Sequence, residues 1–225
     1  MTESGSTRVS PASSLLVTRV RPPSEIRTAY ATVLFADLRG YTGMVESLPA
    51  AHVVPLLDEF FRVLDTAAQK YAGKVYYMAG DGIMAGFGVN GESGGGAAEA
   101  LAAGHAMLDG FAPVAERWHS ELSVDAGIGI GLHLGEVAFC VLGPSKRRTT
   151  TLVGDTVNVA ARLCSRARAG EVLFSCTVAA ALSISADTNG HAGSTSFLQL
   201  PQFELRGRRG PIDIWCVPAP ERLAL

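Results

Sequence analysis

Apolar positions along the chain repeat with two spacings, and the spacing predicts which element each stretch forms. "YATVLFADL" (30–38) is β-branched and almost continuously apolar, the pattern of a buried strand. In "LPAAHVVPLLDEFFRVLDTAAQKYAG" the apolar positions Val53, Leu57, Phe60, Leu64, Ala68 and Tyr71 recur at helical spacing, with Gly73 as a stop. Pro55 fits only the first turns of that helix and leaves its start open. "KVYYMAG" and "GIMAGFG" read as a hairpin turning at Gly80, Asp81 and Gly82.

After the loop "NGESGGG", "AAEALAAGHAMLDGFAPVAERWHS" predicts a helix bent near Pro113. "VDAGIGIGLHLGEVAFCVLG" predicts a strand pair with a turn near Gly135 and Glu136. "GDTVNVAARLCSRA" reads as a helix capped by Asp155 or Thr156, "GEVLFS" as a strand and "CTVAAALS" as a short helix. "FLQLPQFELRGRRGPIDIWCVPAP" closes the pattern with two strands around a basic turn. Irregular alternation with several hairpins argues α+β rather than a purely parallel sheet. Residues 1–27, rich in Ser, Thr, Pro and Arg, read as a flexible arm, 28–219 as one domain and 220–225 as a tail.

Composition narrows the function classes. The chain has 225 residues, 48% hydrophobic and 18% charged, with a net charge of −2, so it carries no general attraction for nucleic acid or anionic lipid. No apolar run reaches membrane-helix length and the N-terminus lacks an apolar signal core, which predicts a cytoplasmic protein. Cys140, Cys164, Cys176 and Cys216 are far apart and read as buried reduced thiols. The five histidines are scattered; His133 reads as a packed strand residue.

Three segments can carry chemistry. "FADLRGYT" puts Asp37 at a strand end before a glycine turn, where a carboxylate can hold Mg²⁺ while the turn cradles phosphate. "AGDGIMAGFG" puts Asp81 at a hairpin tip. Alone, the first is equally a cap and the second a turn former. Together they are what a two-metal phosphoryl-transfer site requires. In "LVGDTVNVAARL", Asn158 and Arg162 stand i, i+4 on one helix face, able to orient a sugar and fork onto a phosphate.

The ordered set "VLFADLRGYT", "GDGIMAGFG", "LVGDTVNVAARL" and "LRGRRGPIDIWCV" resembles the catalytic domain of class III nucleotidyl cyclases, over residues 29–217. The resemblance implies a ferredoxin-like mixed sheet flanked by helices, and a head-to-tail homodimer with sites at its interface. It implies two Mg²⁺ or Mn²⁺ ions per site on Asp37, Asp81 and the Leu38 carbonyl. Backbone N–H groups from Leu38, Arg39, Gly40, Tyr41 and Thr42 would receive the nucleotide phosphates. Asn158 would position the ribose, Arg162 would neutralise charge on the α-phosphate, and Arg206 would replace the family's phosphate-binding lysine. The product would be a 3′,5′-cyclic nucleotide, read by a separate effector protein.

The base-reading positions depart from the family pattern. Thr151 fits a Thr-bearing bacterial branch, but Tyr77 stands where adenylyl cyclases have Lys and guanylyl cyclases have Glu. A rigid phenol with one hydroxyl occupies part of the volume of a two-ring base and can still hydrogen-bond a one-ring base. Tyr in this slot resembles the compact, stand-alone bacterial pyrimidine cyclases of the Pycsar anti-phage systems. That implies UTP to cyclic UMP ahead of CTP to cyclic CMP, although the residues leave the two open. The alternatives are an ordinary adenylyl cyclase with Tyr77 as packing, and a catalytically silent dimerising module. Tyr77 is expected to serve the site opposite to the one Asp81 serves.

Overall fold

The computed structural model describes residues 26–91, 93–144, 146–184, 191–192, 195–203 and 210–219. Its framework is an eight-stranded mixed sheet. The chain opens with β1 (Ile26–Arg39), α1 (Tyr41–Ser47) and α2 (Ala50–Lys70), then β2 (Lys74–Ala79), β3 (Gly82–Phe87) and α3 (Ala97–Leu122). It continues with β4 (Gly127–Leu142), β5 (Thr149–Val153), α4 (Asp155–Cys164), β6 (Val172–Ser175) and α5 (Cys176–Ala181). A separate two-stranded ribbon, β7 (His191–Ala192) and β8 (Thr195–Ser196), precedes β9 (Leu198–Phe203) and β10 (Ile212–Val217). The sheet order is β2-β3-β1-β4-β6-β10-β9, with β5 paired to β4. β4 and β6 are parallel, and the other pairs of this sheet are antiparallel.

The alternation of β1 explains the layering. Leu34, Ala36 and Leu38 face α2 and α3 in the main core, while Ala31, Val33 and Phe35 face the α4 side. In the main core Phe111 meets both Phe60 and Trp118 edge to face, with ring centroids 5.5 and 5.2 Å apart, a geometry worth about 1 kcal/mol per pair beyond burial. Among the described residues no helix is long and apolar enough to cross a membrane.

Several expectations need correction. Ile26 and Arg27, assigned to the arm, already pair in β1 with Cys140 and Phe139. β4 does not turn at Gly135 and Glu136; it runs straight through because β1 pairs with it from Arg39↔Gly127 to Ile26↔Cys140. Pro113, where a bend was expected, lies inside the continuous helix α3. Neither Asp155 nor Thr156 caps α4: Gly154 precedes it, and Thr156 Oγ1 donates to the Glu136 carbonyl at 2.6 Å. Of the cysteines, Cys176 is exposed and the other three are buried. His133 is packed as expected, its Nδ1 2.7 Å from Ser175 Oγ.

At the start of β4 the alternate positions Gly127, Gly129 and Gly131 carry no side chain on the α4 side, which lets the end of α4 and the turn after it lie directly on the strand. A Cβ at Gly131 would stand 2.1 Å from the Cys164 amide nitrogen and 2.4 Å from the Ala160 carbonyl. Because backbone rather than a movable side chain fills that space, Gly131→Ala is expected to destabilise the fold by about 3 kcal/mol. Gly43→Ala, in α1 with nothing within 4 Å of the added carbon, is expected to be neutral or to stabilise by up to about 1 kcal/mol. Urea unfolding of the two variants beside the parent chain measures both effects.

Candidate active site

The carboxylate pair is set by strand register. Asp37 lies opposite Gly82 in β3, so Leu38 comes level with the hairpin turn, and its amide donates to the Asp81 carbonyl at 2.8 Å. An extended residue points its N–H and C=O to the same strand edge, so the Leu38 carbonyl also faces the Asp81 turn. Its amide is already committed there and is not free for a phosphate, which trims that expectation to the carbonyl. The turn into α1 follows at Gly40, whose φ of 86° favours glycine and whose absent Cβ would fall 2.0 Å from the Asp125 carbonyl. Tyr41 and Thr42 then form the first turn of α1, with the Tyr41 ring packed on the main core.

Asp37, Tyr77, Asp81 and Ile83 line a cavity of about 240 Å³ whose opposite wall is Ala161, Cys164 and Ser165 of the α4 end. Tyr77 is 55% exposed and borders the same cavity as Asp81. The neighbouring Tyr76 instead packs edge to face on Phe139, across a register irregularity between Val75 and Tyr77. Asn158 is exposed and Arg162 half-buried, on the face of α4 opposite Val159, Ala160 and Leu163. Among the described residues, Asn158, Arg162 and Thr151 do not line the cavity, and no carboxylate pairs with Arg162. Thr151 is half-buried on β5 opposite Cys140. Arg206 lies outside the described residues. A larger cavity of about 440 Å³ between α3 and the start of β4 contains His105 and Asp109 but neither member of the carboxylate pair.

Electrostatics sharpen the picture. Partial burial raises the Asp37 pKa above the ordinary carboxylate value; Arg39 opposes this and the nearby Asp81 charge adds to it. Burial also pushes the Cys164 thiol up to about 12, so it stays protonated and donates to the Gly129 carbonyl at 3.2 Å. Arg39 is the site residue whose side chain the sequence reading missed. It forms an ion pair with Asp37, and its Nε donates to the Ala167 carbonyl at 3.0 Å. The available signal was position: residues i and i+2 of a strand share a face, and glycines stand opposite both.

Two carboxylates and a carbonyl are hard oxygen donors suited to Mg²⁺ or Mn²⁺, which take one or two carboxylates and complete their shell with phosphate and water. Among the described residues no group of three or more His, Cys, Asp or Glu competes as a metal site.

Comparison with known proteins identifies a family and matching folds. The adenylate and guanylate cyclase catalytic domain family matches residues 25–218. An uncharacterized protein of Mycobacterium tuberculosis is 36% identical over 150 residues, covering 67% of this chain and 26% of that protein. An adenylate cyclase of Anabaena cylindrica is 31% identical over 144 residues, covering 60% of this chain and 27% of its own. The chain thus spans about a quarter of the length of these curated relatives. Among solved structures, the adenylyl cyclase CyaB from P. aeruginosa superposes with a TM-score of 0.78 at 26% identity, covering 88% of this chain and 98% of that one. The guanylyl cyclase Cya2 superposes at 0.73 and 27%, covering 88% and 94%.

A site kept for ligand binding should cost the empty fold something. Because the folded state raises the Asp37 pKa, it disfavours the charged carboxylate at neutral pH, and the stability so withheld returns as pH falls through the carboxylate range. Asp37→Asn, without added metal at pH 7, is therefore expected to melt no lower than the parent chain in a calorimetric scan. A clear drop in melting temperature would contradict the reading.

Proposed function

The chain belongs to the family of adenylate and guanylate cyclase catalytic domains, and on that premise we propose that it converts a nucleoside triphosphate to a 3′,5′-cyclic nucleotide and pyrophosphate. The observation that carries the proposal is the register-locked pair Asp37 and Asp81, sharing one cavity with the Leu38 carbonyl beside it. These residues would hold the two Mg²⁺ or Mn²⁺ ions. Bound there, the ions would make the ribose 3′-hydroxyl more acidic and offset phosphate charge.

The residues divide the remaining work. The backbone N–H groups of Gly40, Tyr41 and Thr42 face the β- and γ-phosphates as the turn enters α1. The Asn158 amide holds the ribose, so that the 3′-oxygen lies in line with the α-phosphorus. As the 3′-hydroxyl loses its proton and its oxygen bonds to phosphorus, the bond to the departing pyrophosphate breaks. The Arg162 guanidinium forks onto the oxygens where charge develops. Arg206 would serve the phosphates in the same way.

A cavity of about 240 Å³ is below the usual range of about 300–1,000 Å³ for a ligand site. Asn158 and Arg162 meanwhile face away from it on an outer helix face. Both facts support a head-to-tail homodimer, in which one copy supplies the carboxylates and the other supplies Asn158 and Arg162. Mixing inactive Asp81→Ala chains with inactive Arg162→Ala chains is expected to restore roughly a quarter of the activity by statistical assortment. No restoration under conditions that exchange subunits would place each site within one chain.

For the base, Tyr77 supports a pyrimidine substrate, with uridine leading. Its half-exposed ring supplies one hydroxyl, which together with Thr151 can read the edge of a one-ring base in the site opposite to the one its own Asp81 serves. Cyclic UMP would then act as a second messenger in anti-phage defence, read by a separate effector. The ATP reading keeps the support of the Anabaena adenylate cyclase. Purified chain incubated with Mn²⁺ and each of the four nucleoside triphosphates, with products identified by mass, is expected to yield cyclic UMP; Asp37→Ala and Asp81→Ala are expected to abolish it. Tyr77→Lys should shift the product toward cyclic AMP, whereas cyclic AMP as the sole product of the parent chain sinks the pyrimidine reading.

A further inference from the structure

Among the described residues, the Arg39 side chain is a strong contact at the carboxylate pair that the proposed reaction leaves without a task. It ends β1 on the face that carries Asp37. One terminal nitrogen pairs with Asp37 Oδ2, Nε donates to the Ala167 carbonyl at 3.0 Å, and the other terminal nitrogen donates to the Cys164 carbonyl. Cys164 is the last residue of α4 and Ala167 lies in the turn beyond it, so the guanidinium ties the carboxylate to the end of that helix. The room for it comes from β4: a Cβ at Gly129 would stand 2.5 Å from an Arg39 terminal nitrogen and 2.8 Å from Cζ. The side chains of Arg39 and Asp37 are 24% and 35% exposed, so solvent only partly screens the pair.

We propose that Arg39 is a positioning residue that acts as an internal counter-ion, holding Asp37 while no metal is bound and yielding the carboxylate when a divalent ion arrives. The inference rests on Asp37 being a metal ligand. An oxygen that accepts from a guanidinium cannot bind a divalent cation at full strength, because the two positive charges repel at that range. Arg39 therefore competes with the metal. Its two carbonyl anchors keep it moored to α4 after it releases Asp37, and α4 is the helix that presents Asn158 and Arg162. A purely structural arginine, capping the helix end and nothing more, predicts the opposite sign: its removal would loosen the site and weaken metal binding.

The test is Mn²⁺ binding to the full 225-residue chain without nucleotide, read from the electron paramagnetic resonance of free Mn²⁺. Arg39→Gln is expected to bind Mn²⁺ about three- to tenfold tighter than the parent, while its metal-free form melts lower. Equal or weaker binding by folded Arg39→Gln overturns the proposal. Asp37→Asn separates this failure from failure of the metal reading: if it binds Mn²⁺ as the parent does, Asp37 is not a ligand and both fall. If it loses Mn²⁺ while Arg39→Gln gains nothing, only the Arg39 inference falls. A measurement on the parent chain makes the outcome independent of variant folding. With ¹⁵N-labelled arginine, Mg²⁺ is expected to shift the Arg39 terminal nitrogens and leave its Nε–H in place; an unchanged Arg39 spectrum overturns the proposal.

Discussion

The site depends on how closely one helix can approach one strand. α4 lies on β4 with backbone against backbone at Gly131, and with the Arg39 guanidinium filling the gap at Gly129. A side chain at either position would lift the helix. Ala161, Cys164 and Ser165 would then retreat from the wall they form over Asp37, and Arg39 would lose its two carbonyl anchors. Close packing of this kind has little slack, because an interior without voids answers added volume by moving backbone. The glycines of "GIGIG" thus act on the chemistry without touching it: they set the distance between the sheet that carries the carboxylates and the helix that faces them.

Register is the second constraint. The β2–β3 hairpin brings Asp81 to Leu38 only because β3 pairs with β1 with Gly82 opposite Asp37. A slip of one residue would send Asp37 to the main-core face, where Leu34, Ala36 and Leu38 leave no polar partner. The outcome is a pair of like charges, one of them half-buried, with the Arg39 guanidinium as partial compensation. A fold selected for stability alone has no reason to assemble that group. The unfavourable charge marks the pair as the candidate for the cation site proposed above.

The elements were largely legible because their patterns are local. The apolar run of β1, the Asp-Gly hairpin and the α4 helix all come from patterns along the chain, and each element forms where it was expected. What the sequence concealed was set by partners far away in the chain. Gly135 and Glu136 read as a turn, yet β1 pairs along the whole of β4 and holds it straight. Thr156 read as a cap, yet the Glu136 carbonyl claims its hydroxyl. Arg39 read as one more residue of a phosphate turn; its side-chain role depends on carbonyls more than a hundred positions away. Asp37 and Asp81 were identifiable as candidate ligands by type and order, but the cavity that joins them to Tyr77 exists only once β3 lies between β2 and β1.

α4 has two faces, and they argue for a site larger than one chain. Its apolar face is committed to β4 and to the small cluster of Val159, Leu163, Leu173 and Ile214. Its polar face carries Asn158 and Arg162 away from the carboxylates of the same chain. A rigid helix cannot rotate to serve both surfaces, since the glycine contacts fix its angle about its own axis. If Asn158 and Arg162 act on the nucleotide whose phosphates meet Asp37 and Asp81, the two sets must come from different copies. The same helix would then wall one site with its end and complete another with its outer face.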